Sequence, residues 1–252
     1  MPLIADLPYR APGSVPSSER CMADLHLPEK PAADGIDCLV WVHGGGLTGG
    51  NKDLPNAAPP LLARGMALIS PNYRLLAHAP FPACVEDIAT VTAWARPALA
   101  ERGIVCRRLF LGGISAGAYL AALIALDRRW LAVHGMDPSA LAGVVPLSGQ
   151  MTSHFAYCAA AGHPPHVPVI DAMAPMRHVR NDAPPMLLIA GSEDIPCRPE
   201  ENLLMLAALR STGNDRAECH IIPGRTHATI AGSLDDPADP VARLLHRFLG
   251  VG

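Results

Sequence analysis

Leu109-Phe110-Leu111-Gly112-Gly113-Ile114-Ser115-Ala116-Gly117-Ala118-Tyr119-Leu120 is the stretch on which the fold turns. An apolar run ends in Gly113-Ile114-Ser115-Ala116-Gly117, a G-x-S-x-G spelling, and an Ala- and Leu-rich segment of helical composition follows. A strand that turns sharply into a helix at this point would lift the Ser115 hydroxyl off the carboxyl edge of a sheet. Side chains two residues to either side would collide in so tight a turn, which explains glycine at 113 and 117. The first turn of the helix also leaves backbone N–H groups without intrahelical partners, facing the serine. A small-residue strand–helix turn with no chemistry has the same spelling, so the surroundings must decide.

Outward from this point, short apolar runs alternate with longer segments of helical period. The runs are residues 38–42, 66–70, 109–112, 143–147, 186–190 and 219–222, each of a length and composition that predicts a strand buried on both faces. Helices are expected near 56–64, 83–101, 116–128, 199–212 and 238–249. The alternation predicts an α/β fold: a mostly parallel central sheet with helices on both faces. Residues 20–27 alternate weakly and are expected to add an antiparallel edge strand. Residues 149–185 break the rhythm, with seven Pro and Gly between Gly162 and Pro185. An irregular insertion of this length reads as a small cap or lid, with room for one helix. The whole chain, 1–252, is expected to form one domain.

His43-Gly44-Gly45-Gly46 follows the first of the buried runs. Three glycines let backbone N–H groups converge on one point without Cβ interference. The tetrahedral intermediate of acyl transfer needs such donors for its oxyanion. Gly44, Gly45 and Gly46 are the candidates here, with the N–H of Ala116, the residue after the serine, as their partner. The same loop spells Gly44-x-Gly46-x-x-Gly49, a dinucleotide fingerprint. That reading requires an acidic residue about 20 positions on, at the end of the next strand. Ser70-Pro71-Asn72-Tyr73-Arg74 stands there without a carboxylate, and Asp53 comes too early. A phosphate loop fails because Lys52 follows Asn51 and precedes Asp53.

A serine nucleophile needs a base, and the base an orienting carboxylate. The run 186–190 leads into Gly191-Ser192-Glu193-Asp194, and the last run leads into Pro223-Gly224-Arg225-Thr226-His227. Both groups leave strand carboxyl ends, on the rim that carries Ser115. Asp194 is the expected acid and His227 the expected base, with Glu193 as an alternative acid. Asp182 precedes its strand and falls on the wrong rim. His220 lies within a strand as a packed or hydrogen-bonded residue, His246 is expected to face solvent from the final helix, and His43 to support the glycine loop. His154, Cys158, His163, His166 and His178 match neither structural-zinc spacing nor HExxH, and read as lid residues. No metal or organic cofactor is expected.

Composition narrows the class further. Of 252 residues half are hydrophobic, which suffices for a core and excludes a disordered chain. A net charge of −3 provides no basic footprint for nucleic acid or anionic lipid. Seven scattered cysteines, odd in number and without a CxxC pair, argue against a disulfide framework; Cys38 and Cys106 read as small buried hydrophobes. No apolar run approaches the ~18 residues of a membrane span. The first twenty residues lack a basic segment followed by an apolar one, so a cytoplasmic location is expected.

Taken together, these residues resemble the α/β-hydrolase superfamily in its HGGG-bearing esterase/lipase branch. The likeness runs from about Arg20 to Phe248 and rests on four blocks. They are Trp41-Val42-His43-Gly44-Gly45-Gly46; Asn72-Tyr73-Arg74-Leu75 with Pro80-Phe81-Pro82 and Glu86-Asp87; Gly113–Gly117; and Gly191-Ser192-Glu193-Asp194 with His227. Ile114 before the serine, Ala118 after Gly117, and Pro146-Leu147-Ser148-Gly149 look closer to feruloyl-esterase-like and arylformamidase-like members than to hormone-sensitive-lipase-like ones. Leu47 stands where an aromatic residue is common. The resemblance implies a serine carboxylic-ester hydrolase acting on small or short-acyl esters through an acyl-enzyme. Hydrolysis of an N-formyl aromatic amine uses the same triad and is the alternative; a non-catalytic binding protein of this fold is a third reading. Neither the substrate nor the oligomeric state is legible.

Overall fold

The computed structural model describes residues 2–53, 58–164, 167–232, 234 and 236–251. Alternation of side chains across each buried strand explains how it is organised. In β3 (Ile36–Val42) the side chains of Cys38, Val40 and Val42 join one apolar cluster, and Leu39 and Trp41 join another on the opposite face. β5 (Cys106–Ile114) divides the same way, with Leu109 and Leu111 on the first face and Phe110 on the second. A strand that is apolar on both sides must be covered on both sides. The first face is covered by α2 (Ala83–Ala100), α3 (Ala116–Leu126) and α6 (Arg198–Ser211); the second by α1 (Ala58–Ala63) and α7 (Pro240–Leu249). Every residue of α3 is buried, so this helix is the axis of the first core.

With β1 (Leu3–Pro8), β2 (Met22–His26), β4 (Ala67–Pro71), β6 (Leu141–Leu147), β7 (Met186–Glu193) and β8 (Ala217–Thr226), the eight strands lie in the order β1-β2-β4-β3-β5-β6-β7-β8. All neighbours are parallel except at β2, which runs antiparallel to both β1 and β4. The carboxyl ends of β3, β5, β6, β7 and β8 therefore share one rim.

Three expectations are corrected. The weakly alternating segment 20–27 does form an antiparallel strand, but β1 pairs outside it, so it is not the edge. β1 offers no continuous apolar run, since Asp6 interrupts Leu3-Ile4-Ala5, and most of its side chains are exposed. The run 219–222 is only partly buried, because β8 is the opposite edge. His246 does not face solvent: it is buried on the inner side of α7 with Ala242, Leu245 and Leu249. Residues 56 and 57, where the first helix was expected to begin, lie outside the described residues, as does His166.

Candidate active site

Ser115 sits between β5 and α3 with φ 56° and ψ −118°, a strained conformation for a residue with a side chain. The neighbouring glycines allow it. A Cβ on Gly113 would lie 2.6 Å from the Val42 carbonyl oxygen, and one on Gly117 2.2 Å from that same oxygen. The elbow is thus clamped directly against the end of β3. Its Ser115 N–H donates to the Leu147 carbonyl at 2.9 Å, tying it to β6 on the other side.

The glycine loop lies alongside. A Cβ on Gly44 would approach Ser115 Cβ and the Ile114 carbonyl to 3.2 Å. Gly45 has φ 105° and Gly46 φ 62°, left-handed values that suit glycine. The loop's carbonyls are occupied. Gly45 accepts from the N–H of Thr48 and Gly49, while the Tyr73 hydroxyl donates to His43 and, more weakly, Gly44. His43 Nδ1 donates to the Gly44 carbonyl at 2.7 Å, and its ring stacks on Tyr73 at 4.3 Å. Burial depresses the His43 pKa to about 4, so the ring is neutral and acts as a prop. Among the described residues no protein acceptor takes the N–H of Gly44, Gly45, Gly46 or Ala116. These are the four groups expected to bind an oxyanion.

Asp194 and His227 meet because β7 and β8 approach closely at their carboxyl ends. A Cβ on Gly191 would lie 2.0 Å from the Arg225 carbonyl oxygen. Asp194 Oδ1 is 2.6 Å from His227 Nδ1, and His227 Nε2 is 2.8 Å from Ser115 Oγ. With the Nδ1 proton directed at the carboxylate, Nε2 is left to accept from the serine hydroxyl. The Asp194 side chain is completely screened from solvent. Burial pushes its pKa up, but hydrogen bonds from His227, Ser148 and the Ile195 N–H outweigh this and hold the carboxyl below its ordinary value. Glu193, the alternative acid, is exposed. Asp182 pairs with Arg128, and His220 pairs with Glu218 at 2.9 Å.

The irregular segment contributes α5 (Phe155–Ala160). His154 caps it, with Nδ1 accepting from the Ala156 N–H, and its ring stacks on Phe155 at 4.5 Å. Burial lowers the His154 pKa to about 3. Phe155 is half exposed and leans over the glycine loop: a Cβ on Gly46 would touch its Cζ at 3.4 Å. His178 bonds the Ala172 carbonyl, and no three metal-capable side chains converge among the described residues. Sequence reasoning missed four polar residues that stand behind the site: Ser148, at the carboxyl end of β6, and Arg198, Glu201 and Asn202 on α6. The rim position of Ser148 was the available signal, since that position had already selected the other three.

A strand–elbow–helix serine, a neighbouring glycine loop and an Asp–His pair from the last two strands form a recurring constellation. The model of the prolyl oligopeptidase family matches residues 82–248, about two thirds of the chain, and a second family model, BD-FAE, matches residues 23–139. The chain belongs to the prolyl oligopeptidase family of α/β-hydrolases. Among curated proteins, this α/β-hydrolase is 26% identical to esterase LipQ of Mycobacterium tuberculosis, covering 98% of the chain and 62% of LipQ. It is 27% identical to esterase LipC of the same organism, covering 80% of the chain and 54% of LipC. The chain thus spans little more than half the length of these relatives. Among solved structures, a truncated carbohydrate esterase from gut microbiota superposes with a TM-score of 0.77 at 18% identity, covering 98% of this chain and 96% of that one. The native esterase Est2 of Thermogutta terrifontis gives 0.75 at 22%, covering 97% and 90%. These likenesses bear out the α/β-hydrolase fold. Among the described residues no helix is long and apolar enough to cross a membrane.

Proposed function

We propose that this α/β-hydrolase is a serine ester hydrolase, with Ser115 as nucleophile, His227 as general base and Asp194 as the acid that orients it. The unbroken path from Ser115 Oγ through His227 to Asp194, with links of 2.8 and 2.6 Å, carries the reading. The names of the curated relatives LipQ and LipC support it. Ser115 Oγ attacks the ester carbonyl carbon while its proton passes to His227 Nε2. Asp194 stabilises the imidazolium without taking its proton. The carbonyl oxygen, now anionic, accepts from the N–H groups of Gly45 and Ala116, with Gly44 or Gly46 beside them. Collapse breaks the bond to the alcohol, which leaves with the proton from His227. Water then attacks the acyl-enzyme, its proton going to His227, and the carboxylic acid departs as Ser115 is reprotonated. The chain's own groups suffice for each step.

The substrate is a small, short-acyl ester, and residues 149–185 form a cap on a single α/β-hydrolase domain. The Phe155 ring supports both statements, since it comes from this segment and crowds the oxyanion loop, 3.4 Å from where a Cβ on Gly46 would stand. Seven cysteines, all free, suit a reducing compartment such as the cytoplasm.

Labelling by a fluorophosphonate and hydrolysis of p-nitrophenyl butyrate test the reading. Ser115→Ala is expected to abolish both while the fold is retained, as followed by circular dichroism. Labelling that persists would place the nucleophile elsewhere. An acyl-length series is expected to show turnover falling beyond short acyl groups. Turnover of N-formylkynurenine without ester turnover would move the assignment to formamide hydrolysis.

A further inference from the structure

Ser148 follows β6 on the same rim as Ser115, Asp194 and His227. It is fully buried, and its backbone is left-handed at φ 51° although it is not glycine. Such a conformation persists only where the surroundings over-determine it. Here they do. The Ser148 N–H donates to the Ile189 carbonyl at 2.7 Å, and its own carbonyl accepts from Arg198 Nη1 at 3.0 Å. With the backbone held on both sides, the hydroxyl is delivered to Asp194 Oδ2 at 2.6 Å.

The two oxygens of Asp194 are thereby divided. Oδ1 serves His227 Nδ1 and the Ile195 N–H at 2.7 Å; Oδ2 serves Ser148 and, at 3.4 Å, the Gly191 N–H. A carboxylate gripped at one oxygen can swing about its Cβ–Cγ bond, whereas one gripped at both has its plane fixed. Behind Ser148, one face of α6 presents Arg198, Glu201 and Asn202, spaced i, i+3 and i+4 and all buried. Arg198 takes the Ser148 carbonyl and Asn202 the Gly149 carbonyl at 3.0 Å. Glu201 accepts from the Met151 N–H at 2.8 Å and the Thr152 hydroxyl at 2.9 Å. Burying two charges on one helix turn is costly unless they are paired or hydrogen-bonded. All three side chains are directed at a five-residue loop whose first member touches Asp194.

We propose that Ser148 is a positioning residue that sets the plane of the Asp194 carboxylate, and that Arg198, Glu201 and Asn202 hold Ser148 in register for it. The proposal rests on reading Ser115, His227 and Asp194 as the catalytic residues. Ser148→Gly and Ser148→Ala separate the hydroxyl from the backbone. Glycine relieves the left-handed strain, so Ser148→Gly is expected to melt no lower than Ser148→Ala. Both variants are expected to lose about tenfold in kcat with p-nitrophenyl butyrate, with KM little changed, and to react with the fluorophosphonate correspondingly slowly. A residue that merely shaped the turn would leave Ser148→Gly at the wild-type rate, and that result overturns the proposal while the catalytic reading stands. A wild-type enzyme that neither labels nor hydrolyses overturns both.

Discussion

A Cβ on Gly117 would lie 2.2 Å from the Val42 carbonyl oxygen, whereas Asp194, beyond the N–H groups of its neighbours Gly191 and Ile195, is held by side chains 33 and 46 residues away in the chain. The serine side of the site is held by backbone packed against backbone, and glycine keeps the space closed to any further atom. The acid–base side shares one such clamp, Gly191 against the Arg225 carbonyl, but its reacting side chains are aligned by hydrogen bonds between distant segments. The first arrangement fails when an atom is added, the second when a bond is removed. The first is also written locally, in two short motifs; the second is dispersed over β6, α6 and the ends of β7 and β8.

The comparison is sharpened most by Asp194→Asn, which keeps the shape but reverses the hydrogen bond that selects the His227 tautomer. A loss of about 10⁴-fold in kcat is expected, with folding retained. Near-normal turnover would mean that another carboxylate, with Glu193 nearest in sequence, supplies the acid. On the serine side, Gly117→Ala is expected to destabilise the fold by about 3 kcal/mol in urea unfolding, since backbone carbonyls cannot move aside. Gly135→Ala is the control: it has φ 68° and nothing within 4 Å of an added Cβ. It is expected to cost about 1 kcal/mol, from left-handed backbone alone. Similar costs at the two positions would break the steric half of the comparison.

Acid tests the polar half. The Asp194 pKa is lowered in the folded protein, so its contribution to stability is present above the unfolded carboxylate pKa and is lost as pH falls through the folded one. The stability difference between wild type and Asp194→Asn is therefore expected to shrink below about pH 4. A difference that stays constant into strong acid would mean that the carboxylate is not held as an anion. The smallest effect is expected at the β8 edge. Glu218 pairs there with His220 and Arg247 on the partly exposed surface. Glu218→Gln is expected to change stability by no more than about 0.5 kcal/mol.

Much of the fold was legible because its signals are local. Buried parallel strands appear as apolar runs whatever surrounds them, and Gly113, Gly117 and Gly44 mark places where a chain must turn or approach another closely. Asp194 and His227 were legible for a related reason: in a parallel sheet, strand carboxyl ends share a rim, so position along the chain gives position in space. β1 was missed and His246 misread because the state of each depends on a partner. β1 is a strand only by virtue of pairing with β2, and His246 is covered only because α7 lies against β6 and β7.

The sequence by itself therefore determined the parallel sheet, the Ser115 elbow, the His43–Gly46 loop and the shared rim on which Ser115, Asp194 and His227 meet. Each depends on a residue and its immediate neighbours. Tertiary structure alone decided which strand closes each edge, that Phe155 reaches the glycine loop, and that Ser148 grips Asp194 under the hold of Arg198, Glu201 and Asn202. Those contacts join segments tens of residues apart. A serine or an arginine carries no mark in its own neighbourhood of the distant oxygen it will bind.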